Sequence, residues 1–326
     1  MKSQRKKFLI GAGAMAAVAA VIGRASHAVT EYMVRFALDR KQPESLLQAD
    51  KTREHLRGST YLDDFFAAIA EAAEKLRSRD TETVEITSSD GIRLVGHLRP
   101  CEHPERVIVA MHGWRSSWDQ DFGLIADFWY EHNCTVLFAE QRGQNNSGGD
   151  YMGFGMLERY DCRDWVNWIN SRFGTELPVY LAGVSMGATT VLMAAGLDLP
   201  ENVKGIAADC GFTSAQAIWK HVATNNLHLS YGLRSAAAAD LCRKKIQRGP
   251  EDYSTLDGLH SCKIPVMLVH GTDDRFVPIE MTYENYKACS APKKLLVVPG
   301  ADHGMSYYIN KEEYEKTVLE FLKMCE

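Results

Sequence analysis

A chain of 326 residues with 37 basic and 42 acidic side chains, a formal net charge of −5 and 45% hydrophobic residues is large enough for one big domain or two medium ones. It carries no basic stripe, which excludes the electrostatic footprint of nucleic-acid binding, and its eight cysteines stand at wide, irregular spacings unlike a disulfide framework. Neither His-Glu-x-x-His nor paired Cys-x-x-Cys occurs, so no metal and no cofactor is expected.

At the N-terminus, Lys2, Arg5, Lys6 and Lys7 precede the uncharged run Phe8 to Gly23, rich in Ala, Gly, Val and Ile. This is the layout of a secretory signal or signal anchor, although the run is shorter than the ~20 residues usual for a membrane span. Positive charge ahead of the run keeps the N-terminus in the cytoplasm and places the rest of the chain outside. Residues 1–28 are therefore read as a signal or membrane anchor. Uncleaved, it ties the protein to the cell membrane; cleaved at the small residues of Ser26-His27-Ala28, it leaves a secreted protein. Gly11-Ala12-Gly13 resembles a dinucleotide fingerprint only superficially, because no strand precedes it.

Residues 29–80 read as a helical extension. Tyr32 and Phe36, with Val29 and Met33, share one face of a first segment. Tyr61, Leu62, Phe65, Phe66, Ile69, Ala73 and Leu76 repeat at three and four in a second. Gly58-Ser59-Thr60 breaks the two, and Asp63 and Asp64 sit where a helix N-terminus favours negative charge. Both helices are expected to pack on the following domain or cover its mouth.

From residue 81 the pattern changes. Runs at 84–87 and 92–99, joined by Ser89-Asp90-Gly91, predict an antiparallel hairpin. Strands at 106–111, 135–139, 179–184, 203–209, 265–269 and 294–298 then alternate with helices near 119–132, 158–173, 186–197, 279–289 and 311–324. That alternation predicts an α/β fold with a mostly parallel eight-stranded sheet and helices on both faces. The stretch at about 211–264 is a small lid insertion. Ile218, Trp219, Val222, Leu227, Leu229, Tyr231 and Leu233 give it apolar surface, and its shortness predicts a partly open pocket.

The chemistry concentrates where strands end. Gly183-Val184-Ser185-Met186-Gly187 follows the strand run Val179-Tyr180-Leu181-Ala182 and opens a helix, the context of a nucleophile elbow. Strand 265–269 runs into His270-Gly271-Thr272-Asp273-Asp274-Arg275-Phe276-Val277-Pro278, and strand 294–298 into Pro299-Gly300-Ala301-Asp302-His303-Gly304. Ligands bind at the C-terminal ends of strands in open α/β sheets. A serine needs a base, a group to orient the base, and donors for the oxyanion.

With His112-Gly113-Trp114 after the third strand, and Gln141-Arg142-Gly143 and Ser147-Gly148-Gly149 after the fourth, the chain resembles an α/β-hydrolase over roughly residues 84 to 324. The resemblance implies Ser185 as nucleophile, His303 as general base and acid, and Asp274, fifth in His-Gly-x-x-Asp-x-x-Val-Pro, as the orienting acid. Asp273 reads as a cap or solvent-facing residue. Asp209 reads as a turn or cap residue placed where it could assist or replace Asp274. Backbone N–H groups of Met186 and Trp114 are the implied oxyanion donors. His112 and His270 are taken as structural, and Asp302 as a turn residue. Relatives usually carry Arg-Gly-His-Gly-x-Ser after the fourth strand; here Gln144, Asn145 and Asn146 follow Gly143, which alters how this loop borders the pocket. Trp114, Phe212, Trp219 and Phe276 are the expected pocket walls, with core packing the competing role for each.

The organisation expected is thus 1–28 signal or anchor, 29–80 helical extension and 81–326 catalytic domain. The function expected is that of a serine hydrolase, a carboxylesterase that cleaves small-molecule acyl esters through an acyl-enzyme. Peptidase, amidase, lipase and thioesterase chemistry would use the same groups. No acidic residue announces recognition of a free peptide N-terminus, which weighs against an aminopeptidase. Two readings from other classes stand beside these: a non-catalytic binding protein on the hydrolase scaffold, and a membrane-bound interaction module built on the N-terminal helices. The presence of Ser185, Asp274 and His303 together favours an enzyme.

Overall fold

Short apolar, β-branched runs between turn residues form eight strands of one sheet. They are β1 (Glu82–Thr87), β2 (Arg93–Arg99), β3 (Arg106–Met111), β4 (Cys134–Ala139), β5 (Val179–Val184), β6 (Val203–Asp209), β7 (Val266–Gly271) and β8 (Lys293–Val298), in spatial order β1-β2-β4-β3-β5-β6-β7-β8. β2 runs antiparallel to both β1 and β4, and every other pairing is parallel. This is the predicted fold: a mostly parallel eight-stranded sheet entered through an antiparallel hairpin. Central strands β4 and β7 are buried along their whole length, as expected where helices cover both faces. Alternate residues of β3 serve opposite layers. Val107, Val109 and Met111 join the core on one face, and Ile108 and Ala110 that on the other.

The computed structural model describes residues 26–41, 60–232 and 234–326. The apolar run Phe8 to Gly23, the break at Gly58-Ser59 and Leu233 lie outside the described residues, as do the side chains of Tyr61 and Leu62. Among the described residues no helix is long and apolar enough to cross a membrane. Helix α1 covers 26–38, so the boundary expected at residue 28 falls inside a helix. Helix α2 (Thr60–Arg77) buries Phe65 and Leu76 against the core on one sheet face, while Phe66 stays exposed.

The remaining helices follow the expected order with one difference. The helix anticipated near 119–132 is two, α3 (Trp118–Phe122) and α4 (Ala126–Glu131). Gly123 divides them where the α2 backbone crosses: a Cβ there would lie 2.8 Å from the carbonyl carbon of Ala72. Next come α5 (Glu158–Phe173) and α6 (Met186–Ala194). The lid region holds α7 (Ala215–His221), a π-helical turn (Val222–Asn226), α8 (Ser235–Ile246) and α9 (Thr255–His260). Ser214 caps α7 by accepting from Ala217 N–H, and Ser254 and Asp257 form a capping box on α9. The chain closes with α10 (Ile279–Ala288), α11 (Ser306–Ile309) and α12 (Lys311–Cys325). All eight cysteines are free thiols, six of them buried, in keeping with small apolar core residues.

Candidate active site

The elbow after β5 forces Ser185 into a conformation that non-glycine residues rarely adopt, with φ 55° and ψ −116°. Its neighbours explain how the turn closes. A Cβ on Gly187 would lie 1.8 Å from the carbonyl oxygen of Met111, and one on Gly183 would lie 2.3 Å from the Gly187 carbonyl carbon. Only bare backbone fits where α6 starts against β3. Ser185 N–H donates to Asp209 O at 2.9 Å, which ties the elbow to the end of β6.

Ser185, Asp274 and His303 meet at the C-terminal edge of the sheet, delivered by β5, β7 and β8. The Nε2 of His303 is 2.9 Å from Ser185 Oγ, and its Nδ1 is 2.7 Å from Asp274 Oδ2. Asp274 is surrounded by donors: Phe276 and Val277 N–H donate to Oδ1 at 2.9 and 2.8 Å, and His303 and His270 reach Oδ2, the latter at 3.1 Å. Burial pushes this carboxyl up, but the hydrogen bonds from His270 and His303 outweigh it and hold it well below the usual carboxylate range. Burial likewise lowers the affinity of His303 for a proton. The Cys210 sulfur and the Asp274 carboxylate oppose it, and the net direction is upward; the Asp274 carboxylate is the group carrying charge at neutral pH.

The other polar candidates fall elsewhere. Asp273 is exposed and accepts from Thr272 Oγ1. Asp209 is buried and takes a hydrogen bond from Ser306 Oγ at 3.1 Å, and burial raises its pKa. Asp302 Oδ1 accepts from His303 N–H and Arg275 N–H, so it shapes the turn that carries His303. His112 is fully buried. Its Nε2 accepts from Gln141 N–H, which leaves Nδ1–H to donate to Gly113 O at 2.8 Å. His270 places Nδ1 2.6 Å from Thr282 Oγ1, with Nε2 directed at Val277 O and Asp274. It is structural, as expected, but its partner is the acid itself.

The N–H groups of Met186 and Trp114 have no acceptor among the described residues. The loop that carries Trp114 is braced from several sides that the sequence did not announce. Asp121, half-buried beneath it, accepts from Gly113 N–H and Ser116 Oγ, both at 2.5 Å. Gln144 Oε1 accepts from Arg115 N–H, and Asn145 Nδ2 donates to Ser116 O. These two residues stand where the expected histidine is missing; they hold the loop that carries Trp114 and do not themselves line either cavity at Ser185. Trp114 Nε1–H donates to Ala37 O at 2.9 Å, and the Arg115 guanidinium donates to Phe36 O and Asp39 O, both at 2.7 Å. The C-terminal carbonyls of α1 are thereby satisfied by the same loop. Of these contacts, only the departure at Gln144 left a trace in the sequence.

Two cavities meet at Ser185. One, about 390 Å³, is of mixed polarity and reaches His303, Asp121 and the α2 residues Phe65, Phe66 and Ile69. The other, about 290 Å³, is almost wholly apolar and lies between α1 and the lid. Trp114, Phe212, Trp219 and Phe276, the four expected pocket walls, all line the second. Among the described residues, one group of metal-ligating type gathers: Cys210, Asp274 and His303, with donor atoms within 4.8 Å of one another. Asp274 and His303 already engage each other, and burial pushes the Cys210 thiol up to about 11.

The sheet order and the convergence of polar groups at its strand ends make this protein an α/β-hydrolase. Residues 120–325, more than half of the chain, match the peptidase S9 profile, the prolyl oligopeptidase family. The chain belongs to that family and is a hydrolase of the esterase and peptidase type. The uncharacterized protein YqkD of Bacillus subtilis is 25% identical over 97% of this chain and 97% of its own length. The esterase Pf2001 of Pyrococcus furiosus superposes with a TM-score of 0.63 at 23% identity, over 77% of this chain and 93% of its own. Est1E of Butyrivibrio proteoclasticus, solved with ferulic acid bound, gives 0.58 at 19% identity, over 74% and 99%.

Proposed function

We propose that the protein is a serine carboxylesterase acting on small-molecule esters through an acyl-enzyme. The observation that carries the reading is the bridge made by His303, 2.9 Å from Ser185 Oγ on one side and 2.7 Å from Asp274 on the other. In this reading Ser185 Oγ attacks the ester carbonyl while His303 Nε2 takes its proton. Asp274 holds Nδ1–H and stabilises the imidazolium. The N–H groups of Met186 and Trp114 hold the oxyanion, each worth about 3 kcal/mol in comparable sites. His303 then gives the proton to the departing alcohol, and takes another from the water that frees Ser185. Structural neighbours that are esterases, Pf2001 of Pyrococcus furiosus and RhEst1 of a Rhodococcus among them, support the ester over other acyl groups.

A fluorophosphonate probe tests the reading. The native chain should label, and Ser185→Ala should lose both labelling and hydrolysis of p-nitrophenyl esters. An unlabelled native chain would return the non-catalytic binding reading. Amide cleavage is the second reading, supported by the family's description as a peptidase family. Matched p-nitrophenyl esters and p-nitroanilides separate the two, and faster turnover of the anilide would replace esterase by amidase.

Attachment to the membrane through Phe8 to Gly23 belongs to the same proposal, on the strength of the cationic cluster ahead of that run. The full chain should sediment with membranes and resist alkaline extraction, whereas a chain starting at residue 26 should not. Full-length protein in the soluble fraction would remove the anchor.

A further inference from the structure

The two cavities at Ser185 differ in a way that assigns the arms of the substrate. His303 lines the larger one and is absent from the walls of the smaller. The group that protonates a leaving alcohol must reach its oxygen, so the alcohol departs into the larger, mixed cavity, where Ser116, Gln120 and Asp121 offer polar contacts. The acyl arm then occupies the smaller one. That cavity is almost free of polar surface, and its wall opposite the lid is α1: Met33, Val34 and Ala37 line it beside Trp219 and Phe276. The π-helical turn contributes Val222 and Ala223 to the far side. α1 is held in place at this wall by Val34 and Leu38, both buried, and by the hydrogen bonds of Trp114 and Arg115 to its last carbonyls.

We propose that α1, a helix of the N-terminal extension, builds the acyl site of the enzyme, which takes an apolar acyl chain of medium length whose limit α1 sets. A cavity of about 290 Å³ holds roughly ten groups the size of water, at ~30 Å³ each, or an acyl chain of about eight to ten carbons. Walls this apolar reward each buried methylene, and Thr30, Tyr231 and Arg234 among the lining residues turn almost none of their polar surface toward the chain, which disfavours a charged or hydroxylated one. The inference rests on the ester-hydrolase reading and adds to it the substrate class and the element that selects it.

The test uses the full chain and p-nitrophenyl esters from acetate to palmitate. The native enzyme should peak near octanoate. Ala37→Leu keeps a strong helix former in α1 and fills the cavity; it should lower the octanoate-to-acetate ratio of kcat/KM by about tenfold. Met33→Ala widens the same wall and should move the peak toward longer chains. A native optimum at acetate, or profiles of both variants that superimpose on the native one while hydrolysis persists, would overturn the proposal. If Ala37→Leu fails to fold, the Met33→Ala profile decides alone. A native chain that neither labels with fluorophosphonate nor cleaves any ester fails at the earlier reading, a result distinct from an unchanged chain-length profile.

Discussion

At the scale of single residues, the behaviour of the site depends on a carboxylate with every lone-pair direction in use. Asp274 accepts from two backbone N–H groups and two imidazoles. A carboxylate so solvated by the protein stays ionised and cannot swing away. Its charge raises the proton affinity of His303, and this has a sign in the kinetics. General-base action needs neutral His303, and its pKa lies above the ordinary 6.5. Ester hydrolysis should therefore fade as pH falls through a value above 6.5. In the proposed mechanism Asp274→Asn removes a raising charge, so the acid limb of kcat/KM should move to lower pH while kcat drops roughly 10⁴-fold, as when the acid of a Ser-His-Asp triad is replaced. An acid limb that stays in place in Asp274→Asn would contradict the pairing. His270→Ala withdraws one donor from Asp274 without touching Ser185 or His303. A fall in kcat of roughly 10–100-fold with little change in KM is expected, in line with the loss of other orienting partners.

At the scale of elements, one loop joins two tasks. Residues 113–116 carry the Trp114 N–H and also cap α1 through the Trp114 indole and the Arg115 guanidinium. Arg115 adopts φ 53°, a conformation stabilised by its own N–H donating to Gln144. Arg115→Ala leaves the last carbonyls of α1 without these donors. A loss of about 1–3 kcal/mol in stability, with a lower kcat, is expected; calorimetry beside kinetics on one ester would check it. The elbow behaves differently. Gly187→Ala places a methyl 1.8 Å from Met111 O, where backbone rather than a flexible side chain must move. It should cost at least about 3 kcal/mol and leave little folded enzyme by circular dichroism.

At the scale of the whole molecule, three separate stretches are tied together by Arg142. Its guanidinium pairs with Asp161 on α5 and with Asp90 in the β1–β2 hairpin, and it is itself buried. Removing one member of a buried ionic group strands the others, so Arg142→Ala should destabilise by about 3–5 kcal/mol in urea unfolding. The extension closes onto the same region. Arg40 donates to Asn145 O, Ser147 O and Gly149 O, and Met152 N–H donates to Leu38 O. The end of α1 and the residues just after it are thus docked on the loop after β4. With all eight cysteines as free thiols, the melting temperature should be insensitive to dithiothreitol; a marked drop would reveal a disulfide.

The order of residues along the chain determined the sheet, the hairpin and the strand ends, because each rests on local signals: alternation of strand and helix runs, Ser89-Asp90-Gly91, and the glycines around Ser185. It also carried Asp274 and His303, since both sit in short motifs at predictable strand ends. What the tertiary structure alone decided lies between segments distant in sequence. The splitting of the helix near 119–132 depends on α2 crossing at Gly123. The bracing by Asp121, the clamp of Arg115 on α1 and the contact of His270 with Asp274 involve polar side chains whose partners no periodicity reveals. The division of the pocket into two arms follows from where α1 and α2 come to rest. A helix's apolar face states that it must be buried; which surface buries it is a matter of shape and of the hydrogen bonds available there, and these exist only once the chain has folded.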